Sequence, residues 1–186
     1  MLYNAYELQR SLLNAASAWA SIGAELLADR RYPPGFFGWG EMPANALDVF
    51  AHATQPRGKP LFGIRTVAVD GAVHPVTEAT VIHKAFADLK RFSHSGLPAD
   101  APRLLIVAPM SGHYATLLRG TVARMLERHV VYITDWADAK LVPLSAGRFD
   151  LDDYIDYLIE FLEHVGEESG GRPHMMAVCQ PAVSGR

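Results

Sequence analysis

From residue 100 onward the chain alternates short apolar runs with helical patterns, and that alternation restricts it to few architectures. Arg103-Leu104-Leu105-Ile106-Val107-Ala108 is a continuous apolar run of strand length, the pattern of a strand buried on both faces of a parallel sheet. Leu118, Val122, Met125 and His129 then recur at helical spacing, and Val130-Val131-Tyr132-Ile133-Thr134 reads as a second strand. Asp150 predicts an N-cap, with Asp152 and Asp153 in the first turn of a helix whose apolar face is Leu151, Ile155, Leu158, Leu162 and Val165. A last strand is expected over 174–178. Strands alternating with helices predict an α/β fold with a mostly parallel sheet.

The first part of the chain reads differently. Leu8, Leu12, Ala15, Trp19, Ile22 and Leu26 recur at spacings alternating four and three, which places them on one face of a helix over 2–28. Pro33-Pro34-Gly35 ends that helix, and Gly35-Phe36-Phe37-Gly38-Trp39-Gly40 is expected to form a packed aromatic loop. A shorter helix is expected over 44–53. Strand-like runs near 63–69 and 76–84 flank Asp70-Gly71, a favoured hairpin pair. The expected division is a helical segment over 1–60 and a sheet domain over 61–186.

Composition narrows the function classes. A net charge of −3 with no run of basic residues supplies no footprint for nucleic acid. One cysteine cannot close an internal disulfide, which favours a reducing, cytoplasmic setting. Glu7 and Arg10 interrupt the apolar pattern where a leader would need continuity. No uncharged apolar run approaches the ~18 residues of a membrane span. The eight histidines form neither HExxH nor Cys/His pairs at zinc spacing, so no metal and no cofactor are expected. Gly58-Lys59 lacks the upstream glycine of a phosphate-binding loop.

Cys179 closes the run His174-Met175-Met176-Ala177-Val178-Cys179-Gln180-Pro181. A lone cysteine is most often a small buried hydrophobe. Here it ends a strand, and Pro181 suits a first helical position, so a nucleophile on a strand-to-helix turn is an equal reading. α/β-hydrolases place their nucleophile on such a turn, usually within Gly-x-Ser-x-Gly. This chain has Ala177-Val178-Cys179-Gln180-Pro181, a thiol without flanking glycines. Backbone N–H groups at a helix start would favour the thiolate. In that architecture one oxyanion donor follows the nucleophile, here Gln180, and the other lies in the loop after an earlier strand. Ala108-Pro109-Met110-Ser111-Gly112-His113 is that loop, with Met110 in the donor position and Ser111 next; a plain strand-to-helix turn is the competing reading. Ser111 and His113 are candidates for lining a substrate pocket, His113 equally for capping. Asp135 and Trp136 end a strand where ligands meet such sheets, although Asp135 also suits a turn or cap. The sequence ends seven residues past Cys179, so the sheet is expected to stop after the nucleophile turn.

Four segments carry a resemblance to the intracellular polyhydroxyalkanoate (poly-3-hydroxybutyrate) depolymerases. They are Met1-Leu2-Tyr3 with Tyr6-Glu7-x-Gln9-Arg10, the stretch from Val107 to Val122, Val131-Tyr132-Ile133-Thr134-Asp135-Trp136-x-Asp138-Ala139, and His174-Met175-x-Ala177-Val178-Cys179-Gln180-Pro181. The resemblance covers the chain up to Pro181. It implies an α/β-hydrolase-like fold, a cysteine nucleophile matching Cys179, and hydrolysis of ester bonds in a storage polyester. The implied partner is the polymer granule and the implied location the cytoplasm at its surface. Family members are considerably longer, and their base histidine and orienting aspartate lie in the part this chain lacks. Ala182-Val183 fits the pattern, whereas Ser184-Gly185-Arg186 departs from it, so this chain is expected to be inactive by itself. Two alternatives remain. One is a polyhydroxyalkanoate synthase-like acyltransferase, whose motif usually keeps Gly-x-Cys-x-Gly. The other is a non-catalytic granule-surface protein using the Leu8/Trp19/Leu26 face.

Overall fold

A computed structural model describes residues 2–54, 58–110 and 114–184. The chain divides into two compact units, Met1–Gly58 and Lys59–Arg186. Among the described residues no helix is long and apolar enough to cross a membrane.

The first unit is helical: α1 (Leu2–Ala28), the single turn α2 (Pro33–Phe36) and α3 (Glu41–Thr54). Ser17 on α1 donates to the Ala51 carbonyl at 3.1 Å, and a side chain at Gly23 would meet Leu47. Later residues of α1 therefore meet earlier residues of α3, and the two helices run antiparallel. Ser17, Ala20 and Ala24 face Ala44 and Ala51 across a small-residue contact, all of them buried. The Leu8–Leu26 stripe lies on the far side of α1, with Trp19 74% exposed. The aromatic loop also differs from expectation. Phe36, Phe37 and Trp39 are exposed; the glycines do the packing instead. A Cβ at Gly40 would stand 2.3 Å from the Leu27 carbonyl oxygen, and one at Gly35 2.4 Å from that of Asp29. Both positions need glycine because backbone passes against backbone.

The second unit is a six-stranded sheet in the order β1-β2-β3-β5-β4-β6. Its strands are β1 (Thr66–Val69), β2 (Ala72–His83), β3 (Ala87–His94), β4 (Arg103–Val107), β5 (Val130–Trp136) and β6 (His174–Ala177). Asp70 and Gly71 both have positive φ, at 49° and 83°, which is what a two-residue hairpin turn demands. The α/β class is as the alternation predicted, but the sheet is mixed rather than mostly parallel. β4 pairs in parallel with β5 and with β6, while β1/β2, β2/β3 and β3/β5 are antiparallel. The connections decide this: β1/β2 and β2/β3 are joined by turns too short for a crossover, and only a crossover allows parallel pairing.

Helix α4 (Arg119–Met125) links β4 to β5, and α5 (Leu151–Glu168) links β5 to β6. Asp150 forms a capping box with Asp153 at the start of α5. Tyr154, Leu158, Phe161 and Val165 on α5 pack into one core with Leu105, Ile106, Tyr132, Ile133, Leu89 and Phe92. Each side chain of this size, fully buried, contributes roughly 1.5–3 kcal/mol. No local pattern in the sequence predicts strand β3. Its Lys90 pairs with Glu78 at 3.0 Å, and its Arg91 lies 3.9 Å from Glu168. These partners keep charged residues inside a central strand whose Leu89 and Phe92 are completely buried.

Candidate active site

The candidate nucleophile sits where β6 ends. Val107 is in register with Ala177, and the Val178 N–H donates to the Val107 carbonyl at 3.2 Å. The Met110 loop and the Cys179 turn thus leave neighbouring parallel strands at the same edge of the sheet. Cys179 is a free, exposed thiol with φ at 65°. Besides Asp70 in the hairpin, it is the only described non-glycine residue with positive φ. For an L-residue that region costs roughly 1–2 kcal/mol, a strain that in folded proteins clusters at functional positions. Pro181 opens the short helix α6 (Pro181–Ser184), and Ala182 N–H donates to the Cys179 carbonyl at 3.0 Å. Gln180 is exposed within the same turn.

The connections β4-α4-β5 and β5-α5-β6 run in opposite directions along the sheet, because β5 and β6 flank β4 on either side. With right-handed crossovers, α4 and α5 fall on opposite faces. In open α/β sheets ligands bind outside the carboxyl ends of the strands at such a reversal, which here are the ends of β4 and β5. Ala108, Pro109 and Met110 follow the end of β4, and Asp135 and Trp136 close β5 beside it.

Two β5 side chains hold the chain where it leaves β4. Ala108 N–H donates to Thr134 Oγ1 at 3.0 Å, and Trp136 Nε1 donates to the Ala108 carbonyl at 2.9 Å. Both backbone groups of the residue entering the loop are therefore satisfied from the neighbouring strand, which fixes the path of Pro109 and Met110. Trp136 is buried and stacks on Tyr154 with ring centroids 5.0 Å apart, so its indole braces the loop. Met110 itself is exposed. Ser111 and His113, two of the expected pocket residues, lie outside the described residues.

Asp135 is buried to 1% exposure. Lys59 Nζ stands 2.7 Å from its Oδ2, but off the line of a hydrogen bond, and neither carboxylate oxygen has a hydrogen-bond partner among the described residues. Asp88, directly across on β3, accepts instead from His83 Nδ1 at 2.6 Å. Sequence reading singled out Asp135 but not Lys59, which lies 76 positions away in a loop without periodicity. Among the described residues no group of three His, Cys, Asp or Glu side chains could hold a metal ion.

Two tyrosines of the second unit are tuned by burial. Desolvation, then the hydrogen bond donated to Glu168, pushes the Tyr132 hydroxyl well above its ordinary value of 10.0. Burial alone raises Tyr154, whose hydroxyl has no partner among the described residues. Comparison with known proteins found no family model, no curated protein and no solved structure that matches this chain.

Proposed function

We propose that this chain carries the nucleophile and oxyanion donors of a cysteine-dependent ester hydrolase of α/β-hydrolase type, acting on a poly(3-hydroxyalkanoate) storage polymer. The observation that carries the reading is the exposed Cys179 held at positive φ on the turn from β6 into α6, the backbone situation of a nucleophile elbow. Further support comes from the loop after β4. Leaving aside β1, β4 is the third strand of the sheet in chain order, and the loop from the third strand to the first helix is where this architecture takes its second oxyanion donor. The polyester substrate rests on the resemblance of the Val107–Val122 and His174–Pro181 segments to the intracellular depolymerases.

In the proposed reaction the Cys179 thiolate attacks the carbonyl carbon of a 3-hydroxyacyl ester. The Met110 and Gln180 N–H groups stabilise the resulting oxyanion, each donor worth a few kcal/mol in such sites. Collapse breaks the C–O bond, and the alcohol end of the polymer leaves with a proton. The S–C bond remains as a thioester, which water hydrolyses to a carboxylic acid and the free thiol. The resemblance implies a histidine for the proton transfers and matches no histidine of this chain to that role.

Acylation is the step these residues would perform, and it is the step to test. The full chain, mixed with an activated 3-hydroxybutyryl ester, should gain one 3-hydroxybutyryl group on the Cys179 peptide by mass spectrometry. It should do so at least tenfold faster than the same chain unfolded in urea, and Cys179→Ala should gain none. A folded-state rate no higher than that of the unfolded thiol would sink the reading.

A further inference from the structure

We propose that α1 is a self-association surface, and that two copies of this chain pair through antiparallel α1 helices. Leu8, Leu12, Ala15, Trp19, Ile22 and Leu26 follow the alternating four-three spacing of a two-stranded coiled-coil seam. All six are exposed, while the opposite, small-residue face of α1 is the one spent on α3. The apolar stripe is thus an additional seam, not the inward face of an amphipathic helix.

The sequence of sizes along the seam identifies the occupant. When a second α1 is laid antiparallel about the middle of the helix, Leu8 of one copy meets Leu26 of the other, and Leu12 meets Ile22. At the centre Trp19 meets Ala15, the largest residue of the stripe against the smallest. Every layer then holds a similar volume, which close packing requires. A parallel pair would set indole against indole in one layer and methyl against methyl in another, leaving one overfilled and the other hollow. The positions flanking the seam are Gln9, Ser11, Ala16, Ala18, Gly23 and Glu25. They are small or neutral apart from Glu25, which in the antiparallel arrangement falls beside Ser11 of the other copy, away from its own twin. An anionic lipid surface is a poorer match, because a helix lying on one carries lysine and arginine beside its apolar face.

Sedimentation velocity on the full chain, from low to high micromolar, tests this. The expected result is a mass rising from 20.4 kDa toward twice that value, with Trp19→Glu remaining monomeric at every concentration and keeping its far-UV circular dichroism. Orientation is read by crosslinking in a Cys179→Ser background. Ala18→Cys, which lies beside the two-fold axis of the antiparallel pair, should form disulfide-linked dimers under oxidation. Ala15→Cys, which meets itself only in a parallel pair, should not. A wild-type chain that stays monomeric at the highest concentration overturns the proposal, whether the stripe is then covered by the rest of the chain or binds vesicles. A dimer that survives Trp19→Glu, or one that crosslinks through Ala15→Cys instead, overturns it as well.

Discussion

Cys179 occupies a backbone conformation that an L-residue enters only at a cost, and its exposed side chain gives nothing back in packing. Cys179→Gly removes that cost, since glycine tolerates positive φ. Offset by the greater freedom glycine loses on folding, the expected gain is about 0.5–1 kcal/mol in urea unfolding, with acylation abolished. A fall in stability would mean that the thiol contributes to the fold and that its conformation is no sign of function. At Trp136 the balance is reversed. Trp136→Phe keeps the stacking on Tyr154 but strips the Ala108 carbonyl of its donor. A buried acceptor left unpaired costs about 1–3 kcal/mol. Chemical denaturation checks this loss, and an effect below a few tenths would show that water or another group already serves that carbonyl.

Local patterns specify the elements of this chain better than the contacts between them. The helix over 2–28, the Asp70-Gly71 hairpin, the strands over 103–107, 130–136 and 174–177 and the Asp150 cap all follow from local patterns. Strand β3 does not, because Asp88, Lys90 and Arg91 look like a polar connection until Glu78 and Glu168 are brought to them from other elements. Gly40 is similar: in the sequence it ends an aromatic loop, and in the fold it marks where that loop crosses the last turn of α1. Gly40→Ala should therefore be among the most damaging single-methyl additions in the first unit, costing at least the 1–3 kcal/mol of a typical overpacking change. Gly38→Ala, where a Cβ would meet nothing within 4 Å, should cost only the strain of its positive φ. Paired thermal melts that rank Gly38→Ala as the worse change would contradict the close approach.

For the molecule as a whole, the buried tyrosines predict an alkaline limit. Both Tyr132 and Tyr154 hold their protons more tightly when folded than when unfolded. Below the unfolded value of about 10 both states are protonated, and stability is independent of these groups. Above it the unfolded chain loses protons that the folded chain keeps, so stability falls by up to about 1.4 kcal/mol per pH unit for each group. Unfolding free energies measured from pH 8 to 11 should be level at first and then decline, and Tyr132→Phe should flatten the decline. An unchanged slope in that variant would place the alkaline sensitivity elsewhere.

The α/β class, most of the elements and the position of Cys179 at a strand exit are legible in the residues alone. They depend on periodicity, caps and turn residues, which act over a few neighbouring positions. The rest depends on contacts between distant segments. Antiparallel pairing at β1, β2 and β3 follows from which strands meet across short turns, so the sheet is mixed. The brace of Thr134 and Trp136 on Ala108 spans 26 and 28 positions, and the approach of Lys59 to Asp135 spans 76. Nor does the stripe on α1 state which face the helix turns toward its neighbour. The small residues at 17, 20 and 24 let α3 come closer than leucines would, and that close contact leaves the larger apolar face outward.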